Sequence, residues 1–265
     1  MKVREVVQAL EALAPLSLAE EWDNVGLLVG DDDAPVERVL LTIDLTDGVL
    51  AEALEHGAQM IVAYHPVLFD PVRRLTTAQP TTRIVLAAAR SGLAIHSPHT
   101  ALDAASHGVA EWLAEGLGPA DVAPLTTVDA ERDTPGPGRL VTLKEPADLK
   151  ELASRVQAHL GARRLLVAPA PQPPGRHSVI GLCPGAGAAL VPPALAKGAT
   201  VFLTGEMRHH DVLAAQAEGC SLLLAGHTNT ERGYLPRLAG RLASALPDLE
   251  VVIAKRDRDP LEPMT

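Results

Sequence analysis

Short apolar runs alternate with helical stretches along this chain, and that alternation restricts the fold more than any other feature. Arg38 to Leu45 (RVLLTIDL), Gln59 to Tyr64 (QMIVAY) and Leu93 to His96 are runs of strand length. Between them, 47–56 and 83–90 carry helical spacing, and a further helix is expected over 108–117. Strands separated by helices need crossover connections, which predicts βαβ units and a mainly parallel sheet. The pattern resumes late in the chain, with strands at 179–183, 201–204, 221–225 and 251–254. Helices are expected there to about Glu218 and to about Leu246. Val3, Val6, Val7, Leu10 and Leu13 predict an N-terminal amphipathic helix closed by Pro15. The expected class is α/β.

Two stretches read as linkers, ERDTPGPG (131–138) and the proline-stiffened PAPQPPG (169–175). Between them, 140–143, 147–160 and 165–168 read strand, helix, strand. A coarse echo joins the two ends of the chain. MIVAYHP (60–66) and LLLAGHT (222–228) are both apolar strands delivering a histidine at the carboxyl end. Ligands of open α/β sheets bind at that end of the strands.

Composition narrows the function classes. Two Phe, two Tyr and two Trp argue against a protein built of base-stacking platforms. Twenty-three basic against 33 acidic residues give −10, so nucleic acid and anionic membranes are not expected partners. Cys183 and Cys220 are too few for a disulfide framework and lie in apolar runs, as buried small hydrophobes do. The N-terminus, with Glu5 and Gln8, lacks the apolar run of a signal peptide, and no run is long enough to span a membrane. A cytoplasmic protein is expected.

The chemistry concentrates in three segments. HSPHTALD (96–103) offers two imidazoles and the Asp103 carboxylate, a donor set suited to Zn, Fe, Mn, Co or Ni. It also reads as a helix entry capped by Ser97 or Thr100. In GHTNTE (226–231), His227 and Glu231 are four apart and share a helical face, yet Thr228 and Glu231 also spell a capping box. Taken alone, the box is the better reading. His65, in YHP (64–66), supplies a third donor at the same strand end. Together they suggest a polynuclear site, in which a carboxylate bridges two cations. PGAG (184–187) lacks the Lys-Ser/Thr of a phosphate loop and reads as a turn allowing close backbone approach. No G-x-S-x-G elbow occurs.

Five segments together resemble the Nif-three-like family of dinuclear-metal proteins, whose members carry the label GTP cyclohydrolase I type 2 homologue. They are EEWDNVGLLVG (20–30), YHPVLFDPVRRL (64–75), IHSPHTALDAASHGVAEWLAEGLG (95–118), TGEMRHHDVLAA (204–215) and AGHTNTERGYL (225–235). The resemblance implies two interlocked α/β halves, mainly parallel in their sheets, with the metal site between them. The halves are expected at about 1–124 and 176–265, joined by a short region at 125–175, too small for the extra domain of longer relatives. A toroidal homohexamer is implied as well.

Carried over residue by residue, the resemblance makes His65 a ligand of one cation and Asp103 the carboxylate ligand of the H-T-x-x-D segment. His227 becomes a ligand of the other cation and Glu231 the bridge. His99 and His210 match polar residues near the pair, placed to shuttle protons. Tyr64 stands where many members have a further histidine, which leaves the second cation one ligand short. The implied activity is hydrolysis of a nucleotide or another small polar molecule, dependent on two divalent cations. The alternative is a metal-handling regulatory protein without turnover.

Overall fold

A computed structural model describes residues 1–129 and 134–261. Contacts divide the chain into two compact units, Met1–Leu102 with Tyr234–Thr265, and Asp103–Gly233.

The first unit opens with α1 (Val3–Leu13), which buries the stripe Val3, Val6 and Leu10. β1 (Gly26–Val29), β2 (Arg38–Thr42), α2 (Asp47–Glu55), β3 (Met60–Ala63), α3 (Pro80–Arg90), β4 (Ala94–Ser97) and α4 (His99–Ala104) follow. β2, β3 and β4 are parallel neighbours, with Val39 opposite Met60 and Met60 opposite Ala94. All four residues of β3 are buried, as expected for a strand covered on both faces. Leu40, Ile61 and Ile95 pack against Val49 and Ala53 of α2 and Ile84 and Ala88 of α3. Each of the Leu, Ile and Val side chains contributes about 1.5–3 kcal/mol by burial.

β1 pairs antiparallel with β4, Leu27 opposite His96, a strand that the alternation did not signal. Gly30 closes it at φ +130°, where a Cβ would lie 2.8 Å from the Ala94 Cβ, so only glycine fits.

The second unit holds α5 (Val109–Glu115), β5 (Ala120–Pro124), β6 (Thr127–Asp129), β7 (Thr134–Pro135), β8 (Arg139–Ala147), α6 (Leu149–Leu160), β9 (Leu166–Ala168), β10 (His177–Leu182), α7 (Val191–Ala196), β11 (Val201–Thr204), α8 (His209–Ala217), β12 (Ser221–Leu224) and α9 (Asn229–Arg232). Its main sheet runs β5-β8-β10-β11-β12-β9. β10, β11 and β12 are parallel; β8 and β9 flank them antiparallel. Of the first expected linker, residues 131–133 lie outside the described residues, and Thr134–Pro135 is a strand paired with β6 rather than a bare connection. The second, 169–175, carries no helix or strand.

The chain returns to the first unit through α10 (Leu235–Ala245) and β13 (Glu250–Ile253). β13 lies parallel to β2, completing the order β1-β4-β3-β2-β13. The single helix expected up to Leu246 is therefore two. Pro236 falls in the first turn of α10, where its missing N–H costs nothing, and a continuous helix would place it in the interior.

After β13, the chain is tied to α2 by Glu52. This carboxylate is 3% exposed and accepts the Lys255 and Arg256 amides, each at 2.8 Å. Burial raises its pKa, but the two amides and the Arg256 charge outweigh that and hold it below its ordinary value. Its contribution to stability is thus present above the ordinary carboxylate range and lost as pH falls through the folded value. Glu52→Ala is expected to cost about 3 kcal/mol, the loss of two charge-assisted hydrogen bonds. Urea unfolding reads this as a lower midpoint; an unchanged midpoint at pH 7 contradicts it.

Candidate metal centre

In the second unit, β12 runs into Ala225-Gly226-His227 and the chain turns into α9. One helical turn brings the His227 Nε2 to 3.2 Å from the Glu231 Oε1. Glu231 is 2% exposed and His227 is half-buried. The pair belongs to a His/Glu cluster able to bind a metal ion. The other ring nitrogen of His227, Nδ1, lies 3.1 Å from the Glu206 Oε1. A carboxylate there favours the tautomer with the proton on Nδ1, which leaves the Nε2 lone pair for a cation.

The PGAG turn lies against this pair. Gly185 has φ +61°, and a Cβ on it would stand 2.8 Å from the Glu231 Oε1 and 3.2 Å from the His227 Nε2. Its N–H donates to the Thr230 Oγ1 at 2.9 Å, and its carbonyl accepts from the Thr204 hydroxyl at 3.0 Å. The turn allows close approach, as its sequence predicted, and keeps space beside the two donor atoms.

The capping box is not formed. Thr228 has helical φ/ψ (−67°, −22°) rather than the extended geometry an N-cap needs, and its side chain makes no cap bond. HSPHTALD does enter a helix, α4 from His99, but neither Ser97 nor Thr100 turns its hydroxyl to cap it. Ser97 donates to the Tyr64 carbonyl at 2.7 Å, and the Thr100 hydroxyl donates to Asp23 at 2.5 Å. Asp103 is half-buried on α4. The next two residues, Ala104 and Ala105, are held by Arg139 through their carbonyls. His210 is exposed at the start of α8, its ring centroid 5.5 Å from that of His209.

In the first unit, Tyr64 and His65 leave β3 still in register with β2. Their amides donate to the Thr42 and Ile43 carbonyls at 2.9 and 3.1 Å. Tyr64 is 3% exposed. The His65 Nδ1 lies 2.9 Å from the Asp44 Oδ1, and the His99 Nδ1 lies 2.8 Å from the Asp23 Oδ1. The ring of His99 meets those of His65 and Tyr64 edge-on, at 5.3 and 5.4 Å between centroids. His99 also has φ +24°, a backbone state that non-glycine residues seldom adopt and that clusters at functional sites.

Burial pushes the Asp23 carboxyl up, but hydrogen bonds from His99 and Thr100 outweigh it and hold the group below its ordinary value. Asp23 is therefore an anion at neutral pH and a fixed acceptor for His99. His96, the other imidazole of HSPHTALD, is buried in β4, and burial pushes it down to about 4, so it is neutral. His177, in β10, is likewise buried.

Three carboxylates thus orient three candidate histidines: Asp23, Asp44 and Glu206. Sequence reasoning gave none of them a role. Asp23 and Glu206 sit in the quoted segments EEWDNVGLLVG and TGEMRHHDVLAA, but their partners are 76 and 21 residues away. No spacing rule links residues so far apart.

Among the described residues, no helix is long and apolar enough to cross a membrane. The profile of the Duf34/NIF3 (NGG1p interacting factor 3) family matches residues 1–260. The chain is 39% identical to the protein NIF3 homolog of Schizosaccharomyces pombe, covering 99% of this chain and 97% of that one. It is 30% identical to a GTP cyclohydrolase 1 type 2 homolog of Clostridium perfringens, covering 99% of each. Its fold matches the crystal structure of a Bacillus cereus protein related to NIF3, with TM-score 0.88 and 20% identity over 100% of this chain and 99% of that one. The chain belongs to the Duf34/NIF3 family.

Proposed function

We propose that this chain is a hydrolase dependent on two divalent cations, acting on a nucleotide or another small polar substrate. The observation that carries the reading is the His227–Glu231 pair, oriented by Glu206 and given room by Gly185. An imidazole and a buried carboxylate converging beside such a cradle fit Zn, Fe, Mn, Co or Ni. The proposed ligands are His65, Asp103, His227 and Glu231, with Glu231 bridging. When bound, such cations supply Lewis acidity, polarising a carbonyl or phosphoryl oxygen and easing the ionisation of water.

The remaining work falls to this chain's own groups. His99, its Nδ1 fixed by the Asp23 carboxylate, can accept and return a proton at Nε2. His210, exposed at the head of α8, is the second proton carrier. The name of the clostridial relative makes GTP the first substrate to try. The same reading takes the protein to be a cytoplasmic, toroidal homohexamer, for which a sizing column with light scattering should give about six times 27.8 kDa.

Tyr64 sets a specific expectation. A phenol has an ordinary pKa of about 10 and replaces imidazole poorly as a ligand. The second cation should therefore bind more weakly than the first, and Tyr64→His should raise its occupancy in a Zn or Mn titration. Equal occupancy in both proteins would remove Tyr64 from the account.

The hydrolase reading is tested by assaying metal-loaded protein against a nucleotide panel that includes GTP, with Glu231→Ala as control. Turnover in the parent and loss of about a hundredfold or more in the variant is the expected result. Bound metal without turnover in the parent would favour the metal-handling alternative.

A further inference from the structure

Of the two tryptophans and two phenylalanines, Trp112 and Phe202 are buried. Trp22 and Phe69 are 59% and 50% exposed, with ring centroids 5.8 Å apart. Large aromatic faces left in water side by side mark a surface that something covers. The Asn24 side-chain amide, donating to the Leu68 carbonyl, holds the Phe69 loop beside the Trp22 turn.

Phe69 also lines a cleft of about 570 Å³ together with Asp70, Arg73 and Arg74. Both arginines are exposed, and neither forms an ion pair or hydrogen bond with a described residue. In a chain of net charge −10, two adjacent unpaired guanidinium groups are a local reversal of sign. Pro66 and Val67 line this cleft and also a neighbouring one of about 460 Å³, which His65 lines too. A molecule lying along that wall would reach from the arginines to His65.

We propose that this surface binds a nucleoside phosphate, with the base against Trp22 and Phe69 and the phosphate on Arg73 and Arg74. The proposal rests on the hydrolase reading and names its substrate class. Aromatic faces stack on a heteroaromatic ring whatever its identity. Planar guanidinium groups match phosphate oxygens in pairs. Asp70 repels an anion, so it confines the phosphate to the arginine side of the cleft. The scarcity of aromatics still argues against a polymer, which needs a row of platforms; one pair serves one base.

The chain provides its own probe, because Trp22 is exposed and Trp112 is buried. GTP, guanosine and inorganic triphosphate are titrated into the full chain, as purified and after chelation, while tryptophan emission is recorded. Saturable quenching by GTP that survives chelation is expected, with weaker binding of guanosine. Arg73→Ala/Arg74→Ala should weaken GTP by about tenfold per arginine and leave guanosine unchanged. Both side chains are exposed on a loop, so the variant is expected to fold, which its thermal midpoint checks. No saturable quenching, quenching abolished by chelation, or unchanged GTP affinity in the double variant would each overturn the proposal. Quenching that survives chelation while the nucleotide panel shows no turnover would overturn the hydrolase reading and leave this binding surface standing.

Discussion

Glu231→Ala is expected to strip the protein of most of its bound metal, the largest single effect that the proposed centre predicts. Glu231 is the candidate bridge, so its removal should deplete both positions, whereas His65→Ala should deplete mainly one. Losing one of several ligands to a cation costs at least ten- to a hundredfold in affinity, the scale seen even for outer partners. Elemental analysis after gel filtration is the measurement. Glu231→Gln is the companion variant, since it keeps the shape beside Gly185 and removes the charge. If metal loss follows charge, the two variants should behave alike. A full metal complement in Glu231→Gln with a depleted Glu231→Ala would mean that packing, not coordination, is what Glu231 supplies.

The largest effect on stability is expected at Arg139. Its side chain is 1% exposed, yet its guanidinium donates to four carbonyls and faces Glu111. Nη1 donates to the Gly136 and Gly138 carbonyls at 3.2 and 2.9 Å. Nη2 donates to those of Ala104 and Ala105 at 2.6 and 3.2 Å, and Nε donates to Glu111 at 3.4 Å. Burial lowers its pKa, while the Glu111 and Asp103 charges oppose that. Arg139→Ala would remove one donor from each of four carbonyls and the ion-pair partner of Glu111, at a cost of about 3–5 kcal/mol. A fall in Tm on the order of 10 °C follows. Arg139→Lys should recover little, because one ammonium cannot replace the planar fork. The exposed Lys144–Asp121 pair offers a contrast, since such pairs are worth about 0–1 kcal/mol. A Tm change in Arg139→Ala no larger than that of Lys144→Ala would contradict the account. Ala104 and Ala105 follow Asp103 directly, so the same substitution should also loosen a proposed ligand.

The α/β alternation was legible because parallel strands are buried on both faces and read as plain apolar runs; β2, β3, β4, β10, β11 and β12 all lie where such runs occur. β1 was not legible. Gly26-Leu27-Leu28-Val29 has no helical crossover before it, and its place beside β4 is fixed by the contact at Gly30, which only the folded chain reveals. The break between α9 and α10 is marked in the sequence by Pro236. At the candidate site, local patterns pulled the wrong way. Thr228-x-x-Glu231 has the spacing of a capping box, and the backbone of Thr228 decides against it. The orienting carboxylates lay beyond reach for a different reason: Asp23 and His99 are joined only by the folding of the first unit, and Glu206 and His227 only by that of the second.

The most direct test of the central claim is anomalous scattering from crystals of the metal-loaded protein, collected at the absorption edge of the bound element. Two peaks are expected, one within coordination distance of His65, Asp103 and Glu231, and a second, weaker one at His227 and Glu231, where Tyr64 leaves a ligand missing. Both should vanish in crystals of Glu231→Ala grown in the same metal. Peaks of equal height in parent and variant, or a cation bound away from Glu231, would contradict it.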